Sequence, residues 1–557
     1  MMLTKHFAFW PPLLPKTLTV PKTPVHDNLF VTAKRYPDKI AIIYYGGTLT
    51  YRQLADEVEK VAGYLQKRLG VKRGDRVIIY MQNAPQFVIA CYAVLCADAV
   101  VVPINPMNKT GELAYYLKDC GAEVAFVGQE LYKQAAPFLE NGDLKRMIVA
   151  CYSEYARPTQ EPDELLPEEV KLTPVAFSDS RIVNWRDVIS SDLRPDQSRA
   201  KDDDIATIPY TSGTTGKPKG CIHLHRTLQA NIFSAAVWVH LTSDSVVLTC
   251  LPLFHVTGMV HSMHSAISCG GTMVIMTRWN RILAADWIER YQVTHWTNIS
   301  TMLIDFLSQP HISKRRLDSL VSVGGGGASL PKAIGEKLEA LTGLRYMEGY
   351  GLTETIAHTH FNPPGRPKLQ CLGIPSFDVD ARIIDPDSKT ELKEGEEGEL
   401  VVHGPQVFAG YWRQPEETER SFIQLDGKRF FRTGDIARYD EEGYFFIVDR
   451  LKRMINVSGF KVWPTEVESV LFHHPAIQQV CVVATPDQRR GETVKAFIIL
   501  KEEADSISPD EIIQWAKERM AAYKCPRQIE FVKTLPMTSS GKILWRELQE
   551  KEFGKTT

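Results

Sequence analysis

Short apolar runs alternate with amphipathic stretches along most of the chain, starting near residue 39. The apolar runs predict strands at Lys39–Tyr45, Asp75–Met81 and Ala99–Ile104. Apolar positions with helical spacing predict helices at Thr50–Leu69, which begins at a threonine cap, and at Ala84–Ala97. Strand–helix–strand alternation is typical of parallel sheets covered by helices, so the pattern predicts an α/β fold.

The pattern changes in two places before the last hundred residues. A proline-rich segment over residues 1–30 predicts an extended arm on the surface, and the polar residues 155–200 predict a surface excursion. Strands predicted at Val379–Ile384, Gly398–His403 and Gly443–Val448 follow each other without intervening helices, which favours antiparallel pairing.

A second, smaller α+β unit is predicted from about residue 450. Roughly one hundred residues are enough for an independent small domain. Its predicted elements are, in order, a helix at Pro464–Phe472, strands at Gln479–Ala484 and Val494–Leu500, a helix at Pro509–Met520, a strand at Ile529–Val532 and a helix at Ile543–Glu552.

Composition narrows the class of protein. The formal net charge of -2 gives no reason to expect nucleic acid as the main partner. Ten cysteines without a CxxC pair fit a reducing compartment, so a cytoplasmic location is expected. The apolar stretch Phe7–Leu14 is short and interrupted by prolines, which argues against a signal peptide. No apolar run is long enough to span a bilayer, while peripheral membrane contact and a homodimer both stay open.

The most specific segment is Thr211–Gly220, with the sequence TSGTTGKPKG. Glycines let a backbone approach an anion closely, and freed N–H groups and hydroxyls can surround phosphate oxygens. Lys217 and Lys219 add positive charge, although the spacing is not that of a GxxxxGK[ST] loop. We predict that phosphate groups are held by Thr211, Ser212, Gly213, Thr214, Thr215, Gly216, Lys217 and Lys219.

A carboxylate in the segment Tyr350–Thr355, with the sequence YGLTET, is the predicted magnesium ligand. Glu354 near a phosphate loop would repel the bound phosphate unless a divalent cation lay between them, and phosphate oxygens and water would complete the shell. Four other segments are weaker signals alone: the glycine run after Leu320–Val323, the turn containing Asp435, the basic stretch at 449–461, which by itself is a charged linker, and the lone Lys542, which by itself would be a solvated charge.

Taken together and in this order, the segments resemble the adenylate-forming superfamily, which includes acyl-CoA synthetases, aryl-CoA ligases, luciferases and peptide-synthetase adenylation domains. The resemblance covers nearly the whole chain. The segments around Trp10 and Tyr36 look most like those of fatty-acid:CoA ligases. The resemblance to the superfamily implies a large N-terminal domain at 1–449, with parallel-rich sheets flanked by helices and a β-barrel-like subdomain. A hinge at 450–453 would lead to a small mobile α+β C-terminal domain at 454–557.

The resemblance also implies roles for individual residues. Lys542 would be the catalytic lysine that bridges the carboxylate and the α-phosphate, which offsets the repulsion of two anions. Lys452 would be the hinge residue, and Asp435 would bind the ribose with Arg450 as its partner. Further ATP contacts would come from Gly325, Glu348, Gly349, Tyr350 and Thr353, magnesium contacts from Glu354 and Thr211, and coenzyme A contacts from Val457, Ser458, Gly459, Phe460 and Lys461.

The acyl pocket is the least specified part of the prediction. His255 matches a ring that borders the substrate carboxylate, where a gating role is preferred because an ionised acid needs no general base; a packed core histidine is the alternative. The predicted lining is apolar or small, which suits an acyl chain: His255, Val256, Gly258, Met259, Ile299, Met302, Gly326 and Gly327. Four nearby polar residues leave the chemistry open, because each can face either the pocket or its neighbours: His261, Ser262, His264 and Ser265.

The predicted activity is that of an ATP-dependent acid:CoA ligase that uses Mg²⁺, ATP and free coenzyme A and activates a medium- or long-chain fatty acid. The catalytic residues implied are Lys542, His255, Thr353 and Glu354. Three alternatives stay open: an aryl-acid:CoA ligase, a fatty acyl-AMP ligase that does not use coenzyme A, and a nucleotide-binding scaffold without catalysis.

Overall fold

The structure is a computed structural model that describes residues 4–157, 162–211, 217–327, 329–458, 460–487, 489–501, 507–537 and 543–554, without the side chains of Lys452 and Lys461. The described chain divides into two compact units. The first contains residues 1–380 and 402–431, and the second contains residues 381–401 and 432–557. Since compactness alone does not locate a hinge, the boundary predicted at 450–453 stays a prediction.

Strands are found wherever the apolar runs predicted them, with ends that differ by one to a few residues. The strands are, in chain order, β1 Ile40–Tyr44, β2 Gly47–Thr50, β3 Arg76–Tyr80, β4 Val100–Pro103, β5 Val124–Gly128, β6 Arg146–Ala150, β7 Ile182–Asn184, β8 Ile205–Thr207, β9 Cys221–Leu224, β10 Val246–Thr249, β11 Thr272–Ile275, β12 His295–Asn298, β13 Ser322–Gly326, β14 Met347–Leu352, β15 Ala357–Phe361, β16 Ile374–Pro375, β17 Asp380–Ile384, β18 Gly398–His403, β19 Gly410–Tyr411, β20 Phe422–Leu425, β21 Lys428–Tyr439, β22 Phe445–Arg450, β23 Ile455–Val457, β24 Phe460–Val462, β25 Ile477–Asp487, β26 Gly491–Leu500 and β27 Gln528–Phe531.

The α-helices lie between the strands, as the alternating pattern predicts. They are, in chain order, α1 His26–Arg35, α2 Tyr51–Lys67, α3 Pro85–Cys96, α4 Thr110–Cys120, α5 Tyr132–Ala135, α6 Pro137–Glu140, α7 Glu168–Lys171, α8 Trp185–Ser190, α9 His225–Trp238, α10 Ser265–Cys269, α11 Arg281–Tyr291, α12 Ser300–Leu307, α13 Lys332–Thr342, α14 Pro415–Arg420, α15 Pro464–Leu471, α16 Pro509–Lys517 and α17 Trp545–Gly554. Among the described helices, none combines the length and the apolarity needed to cross a bilayer.

Two large mixed sheets build the first unit. One has the order β16-β15-β14-β13-β12-β10-β11-β1-β2, and the other has the order β19-β9-β8-β4-β3-β5-β6-β7. The central neighbours are parallel, including β12, β13 and β14, while β15 runs antiparallel to β14. Helix α3 is buried along its whole length, which explains its almost uninterrupted apolar sequence. The capping prediction for α2 is confirmed, because Thr50 accepts a hydrogen bond from the backbone N–H of Gln53.

The second unit contains the antiparallel strands and the C-terminal α+β module. Strand β22 pairs antiparallel with β21, as the sequence pattern predicts. A separate sheet has the order β24-β23-β26-β25, and β27 joins it in parallel next to β26. The prediction of an α/β fold with a large N-terminal sheet domain and a smaller C-terminal domain is therefore confirmed.

The prediction of an extended arm over residues 1–30 is only partly correct. Residues Lys5–Phe9 form a turn of 3₁₀-helix, and helix α1 begins at His26. The indole of Trp10 is buried edge-on against Trp238 and Phe377, with ring centroids 5.0 and 5.2 Å away. Because aromatic contacts of this kind bury a large apolar area, they fix the arm to the first unit.

Candidate active site

The phosphate-loop segment is closed at its neck by backbone pairing. Tyr210 and Gly220 form an antiparallel bridge, and the backbone N–H of Thr211 donates to the carbonyl of Lys219 at 2.9 Å. The N–H of Lys219 donates in turn to the hydroxyl of Thr211 at 3.3 Å. The predicted ligands Ser212 to Gly216 lie outside the described residues. The described residues on either side of them therefore form a closed neck.

The two lysines of the segment have different surroundings. The ammonium of Lys219 lies 2.6 Å from a carboxylate oxygen of Glu417 and 4.1 Å from the ring centroid of Tyr411. Lys217 is exposed, and its ammonium lies 5.8 Å from the ring centroid of Tyr115. A cation over an aromatic face is attracted by the ring electrons. Lys217 thus provides an accessible charge, whereas Lys219 is held by a counter-ion.

Glu354, the predicted magnesium ligand, is connected to this neck by one tyrosine. The hydroxyl of Tyr411 donates to Oε1 of Glu354 at 2.8 Å, and the N–H of Phe408 donates to the Glu354 carbonyl at 2.8 Å. Strand β19 pairs with β9, which places Tyr411 opposite Cys221, just beyond the neck. Lys219 therefore contacts Tyr411, and Tyr411 contacts Glu354. These three side chains form a continuous contact path from the neck to the carboxylate.

The residues around Glu354 fit a magnesium ion that is bound together with a nucleotide. Mg²⁺ is commonly held by one or two carboxylates, with substrate phosphates and waters as the other ligands. Glu354 is half-buried, and the described part of the chain contains no group of three or more acidic, histidine or cysteine side chains placed to bind a metal alone. A single carboxylate beside a phosphate segment matches an ion that arrives with ATP.

Thr353 is fixed by a buried histidine that the sequence did not reveal. Nε2 of His223 lies 2.7 Å from the Thr353 carbonyl, to which it donates as an N–H. Burial lowers the pKa of His223 to about 4, so the ring is neutral at physiological pH. His223 follows the phosphate segment on β9, and Thr353 follows β14. This hydrogen bond holds the two predicted nucleotide-binding segments together within the first unit.

The glycine run has a structural reason that does not involve a ligand. A Cβ on Gly325 would lie 1.8 Å from the carbonyl oxygen of Asn298, and a Cβ on Gly326 would lie 2.5 Å from that of Gly349. A Cβ on Gly349 would in turn meet the ring of Phe361 at 2.9 Å. Side chains would therefore separate strands β12, β13, β14 and β15. The predicted adenine contact of this run stays a prediction.

Glu348 is a buried carboxyl group on β14. Its side-chain oxygen accepts the backbone N–H of Gln370 at 2.6 Å. Burial raises the pKa of this carboxyl from 4.5 to about 7, because desolvation disfavours its charged form. A carboxyl group that titrates near neutrality can present either a donor or an acceptor to a nucleotide base.

Replacing Glu348 with glutamine is expected to change how stability depends on pH. Because the folded pKa is raised, the folded chain binds more protons than the unfolded chain between pH 4.5 and about 7, so ionisation destabilises the wild type as pH rises. The glutamine variant should therefore gain about 2 kcal/mol relative to the wild type between pH 5 and pH 8. Thermal unfolding of both proteins at these pH values measures the difference. A difference that does not change with pH would contradict the expected titration.

His255 and the predicted acyl-pocket residues lie on one segment and its neighbours in the first unit. His255 is exposed, which excludes the packed-core alternative and leaves the gating role as a prediction. Its Nδ1 accepts the backbone N–H of Thr257 at 3.3 Å. Met259 and Val256 are buried in the core. The remaining predicted lining residues range from buried to exposed: Gly258 buried, Ile299, Met302 and Gly326 half-buried, and Gly327 exposed.

The predicted ribose-binding pair lies in the second unit. Asp435 and Arg450 face each other across β21 and β22, and the Arg450 Nε lies 2.8 Å from a carboxylate oxygen of Asp435. Asp435 is fully buried, whereas Arg450 is 39% exposed, so the arginine covers the carboxylate. The pairing predicted from the sequence is thus present, and contact with ribose stays a prediction.

The predicted hinge and coenzyme A segments continue in the second unit. Val457 is buried at the end of β23, and Ser458 adopts a left-handed backbone conformation with φ of 53°. Phe460 is 58% exposed, and its ring stacks on Tyr523 with centroids 4.9 Å apart. The predictions for Gly459 and Lys542 lie outside the described residues. Those for Lys452 and Lys461 concern side chains that the structure does not describe.

Three functional candidates were not identified from the sequence: Tyr411, Glu417 and His223. Tyr411 and Glu354 are 57 positions apart, and Lys219 and Glu417 are 198 apart. For His223, the local signal was its position three residues after the phosphate segment. The other two depend on the pairing of β19 with β9, which no local pattern predicts.

Comparisons with known proteins agree with this geometry. A family model described as AMP-binding enzyme matches residues 29–412, and one described as AMP-binding enzyme C-terminal domain matches residues 466–542. A long-chain-fatty-acid–CoA ligase of Bacillus subtilis is 34% identical over 555 residues, covering 98% of this chain and 97% of that protein. A feruloyl-CoA synthase of Amycolatopsis is 32% identical, covering 94% and 97%. The crystal structure of ATP-bound MatB from Rhodopseudomonas palustris matches with a TM-score of 0.83 and 26% identity, covering 95% of this chain and 99% of that one.

Proposed function

The chain belongs to the AMP-binding enzyme family and is an acyl-CoA synthetase, and we propose that it joins a medium- or long-chain fatty acid to coenzyme A in a reaction driven by ATP and assisted by Mg²⁺. The acid would pass through an acyl-adenylate, because adenylation converts a poor electrophile into a good one. Its ten cysteines are free thiols, which supports a cytoplasmic location, and the similarity to long-chain-fatty-acid–CoA ligases supports a role in fatty acid metabolism.

The observation that carries this proposal is the contact path from Lys219 through Tyr411 to Glu354. It holds a cation beside the neck of the phosphate segment and a carboxylate that can bind a metal. A polyphosphate chelated by Mg²⁺ is the ligand that needs both charges at once. The bound metal would neutralise phosphate charge at Glu354.

In the first half-reaction, a carboxylate oxygen of the acid attacks the α-phosphorus of ATP, and pyrophosphate leaves. The acid is ionised at neutral pH, so no general base is required, and the exposed His255 acts by positioning the carboxylate. Lys542 bridges the two anions and stabilises the charge that spreads in the transition state. Asp435 binds the ribose hydroxyls, for which a carboxylate is a suitable double acceptor.

In the second half-reaction, the coenzyme A sulfur attacks the acyl carbon, AMP leaves and the thiol proton is released. The C-terminal module turns about Lys452, which withdraws Lys542 and brings the segment Val457–Lys461 to the acyl-adenylate. The exposed ring of Phe460 is suited to contact an incoming pantetheine arm.

An aryl-acid:CoA ligase is the second candidate, favoured by one observation. The rings of His261, His358 and Phe361 lie together, with centroids 4.2 to 5.4 Å apart. Flat side chains of this kind can stack against an aromatic acid.

A panel of acids tests the proposal. The purified chain is supplied with ATP, Mg²⁺, coenzyme A and acids from C4 to C18 or benzoates and cinnamates, and both pyrophosphate and thioester are measured. We expect both products with fatty acids. Products with aromatic acids alone would establish the second candidate, and pyrophosphate without thioester would indicate an acyl-AMP ligase. Absence of acid-dependent pyrophosphate release would indicate a non-catalytic nucleotide-binding protein.

Replacing Lys452 with proline is expected to impair the second half-reaction selectively. Proline restricts the backbone at the proposed pivot, so the module should no longer reach the thioester-forming arrangement. Formation of acyl-AMP from ATP should stay within about threefold of the wild type, whereas thioester formation should fall at least about tenfold. Single-turnover assays of each step measure this separation. Unchanged turnover to thioester would exclude a pivot at this residue.

A further inference from the structure

One of the four polar residues whose orientation the sequence left open keeps access to a ligand. His264 is fully buried, and its Nδ1 lies 2.9 Å from the hydroxyl of Tyr92. Ser265 is buried and donates to the carbonyl of Val260 at 2.8 Å, and Ser262 is buried as well. His261 alone is half-buried. Of these four side chains, His261 is therefore the one that retains accessible surface in the described structure.

His261 lies on an unusual turn next to the predicted acyl pocket. The segment Gly258–His264 is a π-helix, which begins three residues after His255 and includes the predicted pocket residues Gly258 and Met259. A π-helical turn widens the spacing of side chains, and such turns occur frequently at functional sites. The imidazole of His261 is thereby displayed on the segment that carries the predicted acyl contacts.

The ring of His261 forms one wall with two side chains of strand β15. Its centroid lies 5.1 Å from that of His358 and 5.4 Å from that of Phe361. Strand β15 pairs with β14, which places Phe361 opposite Gly349 in the predicted nucleotide site. We call His261, His358 and Phe361 the imidazole–phenyl wall. It is one strand away from the predicted ATP contacts Glu348 and Gly349 on β14.

The wall contains hydrogen-bonding capacity that the described protein does not use. His261 makes no hydrogen bond or ion pair with the described residues, although it is surrounded closely enough that burial lowers its pKa to about 4. The Nε2 of His358 lies 2.8 Å from the hydroxyl of Ser234, while its Nδ1 has no partner among the described residues. A neutral imidazole has one donor and one acceptor.

A leucine or methionine at position 261 would suit an unsubstituted alkyl chain better. Such a chain would cover the imidazole and leave its polar atoms without a partner, which is unfavourable. A site built to bind a substrate hydroxyl rejects the analogue that lacks it much more strongly than an apolar pocket rejects an added hydroxyl. The partly accessible imidazole thus favours an oxygen atom on the substrate.

We propose that His261 hydrogen-bonds an oxygen substituent on the acyl group, so that the preferred substrate is a carboxylic acid carrying a hydroxyl or carbonyl group on its chain or ring. This inference rests on the proposed function and narrows it from fatty acids in general to oxygenated acids. The buried rings of His358 and Phe361 pack against the imidazole of His261 and support it from behind.

Matched pairs of acids test the proposal and distinguish a chain from a ring. One arm compares decanoic acid with its hydroxydecanoic isomers, and the other compares cinnamic acid with 4-hydroxycinnamic acid. The readout is kcat/KM for acid-dependent pyrophosphate release by the full chain. We expect at least about a tenfold preference for the oxygenated member in one arm. Equal rates, or a preference for the plain acid in both arms, would overturn it.

Variants of the wall connect that preference to the imidazole. His261→Phe keeps a ring but removes both nitrogen atoms, and should reduce the preference to less than about threefold, mainly by slowing the oxygenated acid. His261→Gln keeps a donor and an acceptor and should retain part of the preference. Survival of the full preference in His261→Phe would overturn the assignment.

Two controls separate this result from misfolding and from failure of the proposed function. Phe361→Leu changes the shape of the wall but not its polarity, and should slow both members of a pair similarly. His473→Phe, at an exposed position in the second unit, should leave all rates unchanged. If plain acids react as well as oxygenated ones, only the substrate assignment fails. If no acid releases pyrophosphate, the ligase proposal fails and the assignment fails with it.

Discussion

Alanine in place of Lys542 is expected to slow acyl-AMP formation by about 10²–10³-fold. The acid carboxylate and the triphosphate are both anions, and an ammonium that bridges them stabilises the charge of the transition state, whose loss typically has an effect of this size. Pyrophosphate released in a single turnover with ATP and a saturating acid measures the first step. Lys533→Ala is the matched control, because it removes an exposed lysine of the same module and should have no effect.

The same variant should be nearly unaffected in the second step. Chemically prepared acyl-AMP bypasses adenylation, so thioester formation from acyl-AMP and coenzyme A should stay within about threefold of the wild-type rate. An equal loss in both half-reactions would mean that Lys542 acts throughout the cycle, and the assignment to the adenylation step would be wrong.

Replacing Glu354 with glutamine is expected to have the next largest effect, a loss of about 10²-fold in acyl-AMP formation. Glutamine keeps the shape of the side chain and can still accept the hydrogen bond from Tyr411, but it lacks the charge that holds a divalent cation. The Mg²⁺ concentration that gives half of the maximal rate should rise by at least about tenfold. Titration of the initial rate with Mg²⁺ at saturating ATP measures both effects.

Tyr411→Phe provides the matched comparison. It leaves the carboxylate charge in place and removes only the hydroxyl that orients Glu354 at 2.8 Å. Residues that orient a metal ligand typically contribute about 10- to 100-fold, so we expect a loss of about tenfold with a smaller change in the Mg²⁺ requirement. A glutamine variant with an unchanged Mg²⁺ requirement would show that Glu354 binds no metal, whatever its effect on rate.

Local patterns predicted part of the fold's helices and strands. Helix α2 starts at its threonine cap because Thr50 and Gln53 satisfy each other's backbone groups, an arrangement that is readable from four consecutive residues. The predicted pairing of Asp435 with Arg450 is present because β21 and β22 are neighbours in sequence as well as in space. Where partners are close along the chain, sequence and structure agree.

Contacts between distant segments account for what the sequence did not predict. The hydroxyl of Tyr411 meets Glu354 only because β19 pairs with β9, and that pairing depends on the packing of the whole sheet. The glycines of β13 illustrate the converse. The family resemblance implies that they contact ATP, which stays a prediction, and the structure adds that a Cβ there would meet atoms of β12 and β14. A run of glycines in a strand indicates that another group lies close to the backbone, but it does not show whether that group is a ligand or a neighbouring strand.

The ion pair between Lys219 and Glu417 must be broken before another anion can pair with the lysine. Any phosphate that takes the ammonium must displace a carboxylate 2.6 Å away, so the lysine is exchanged between two negative groups and is never exposed as a bare charge. Weakly binding anions such as chloride or inorganic phosphate would compete poorly for it. If Lys219 binds phosphate as predicted, a multiply charged triphosphate would displace Glu417 more readily than a small anion, because it makes several contacts at once.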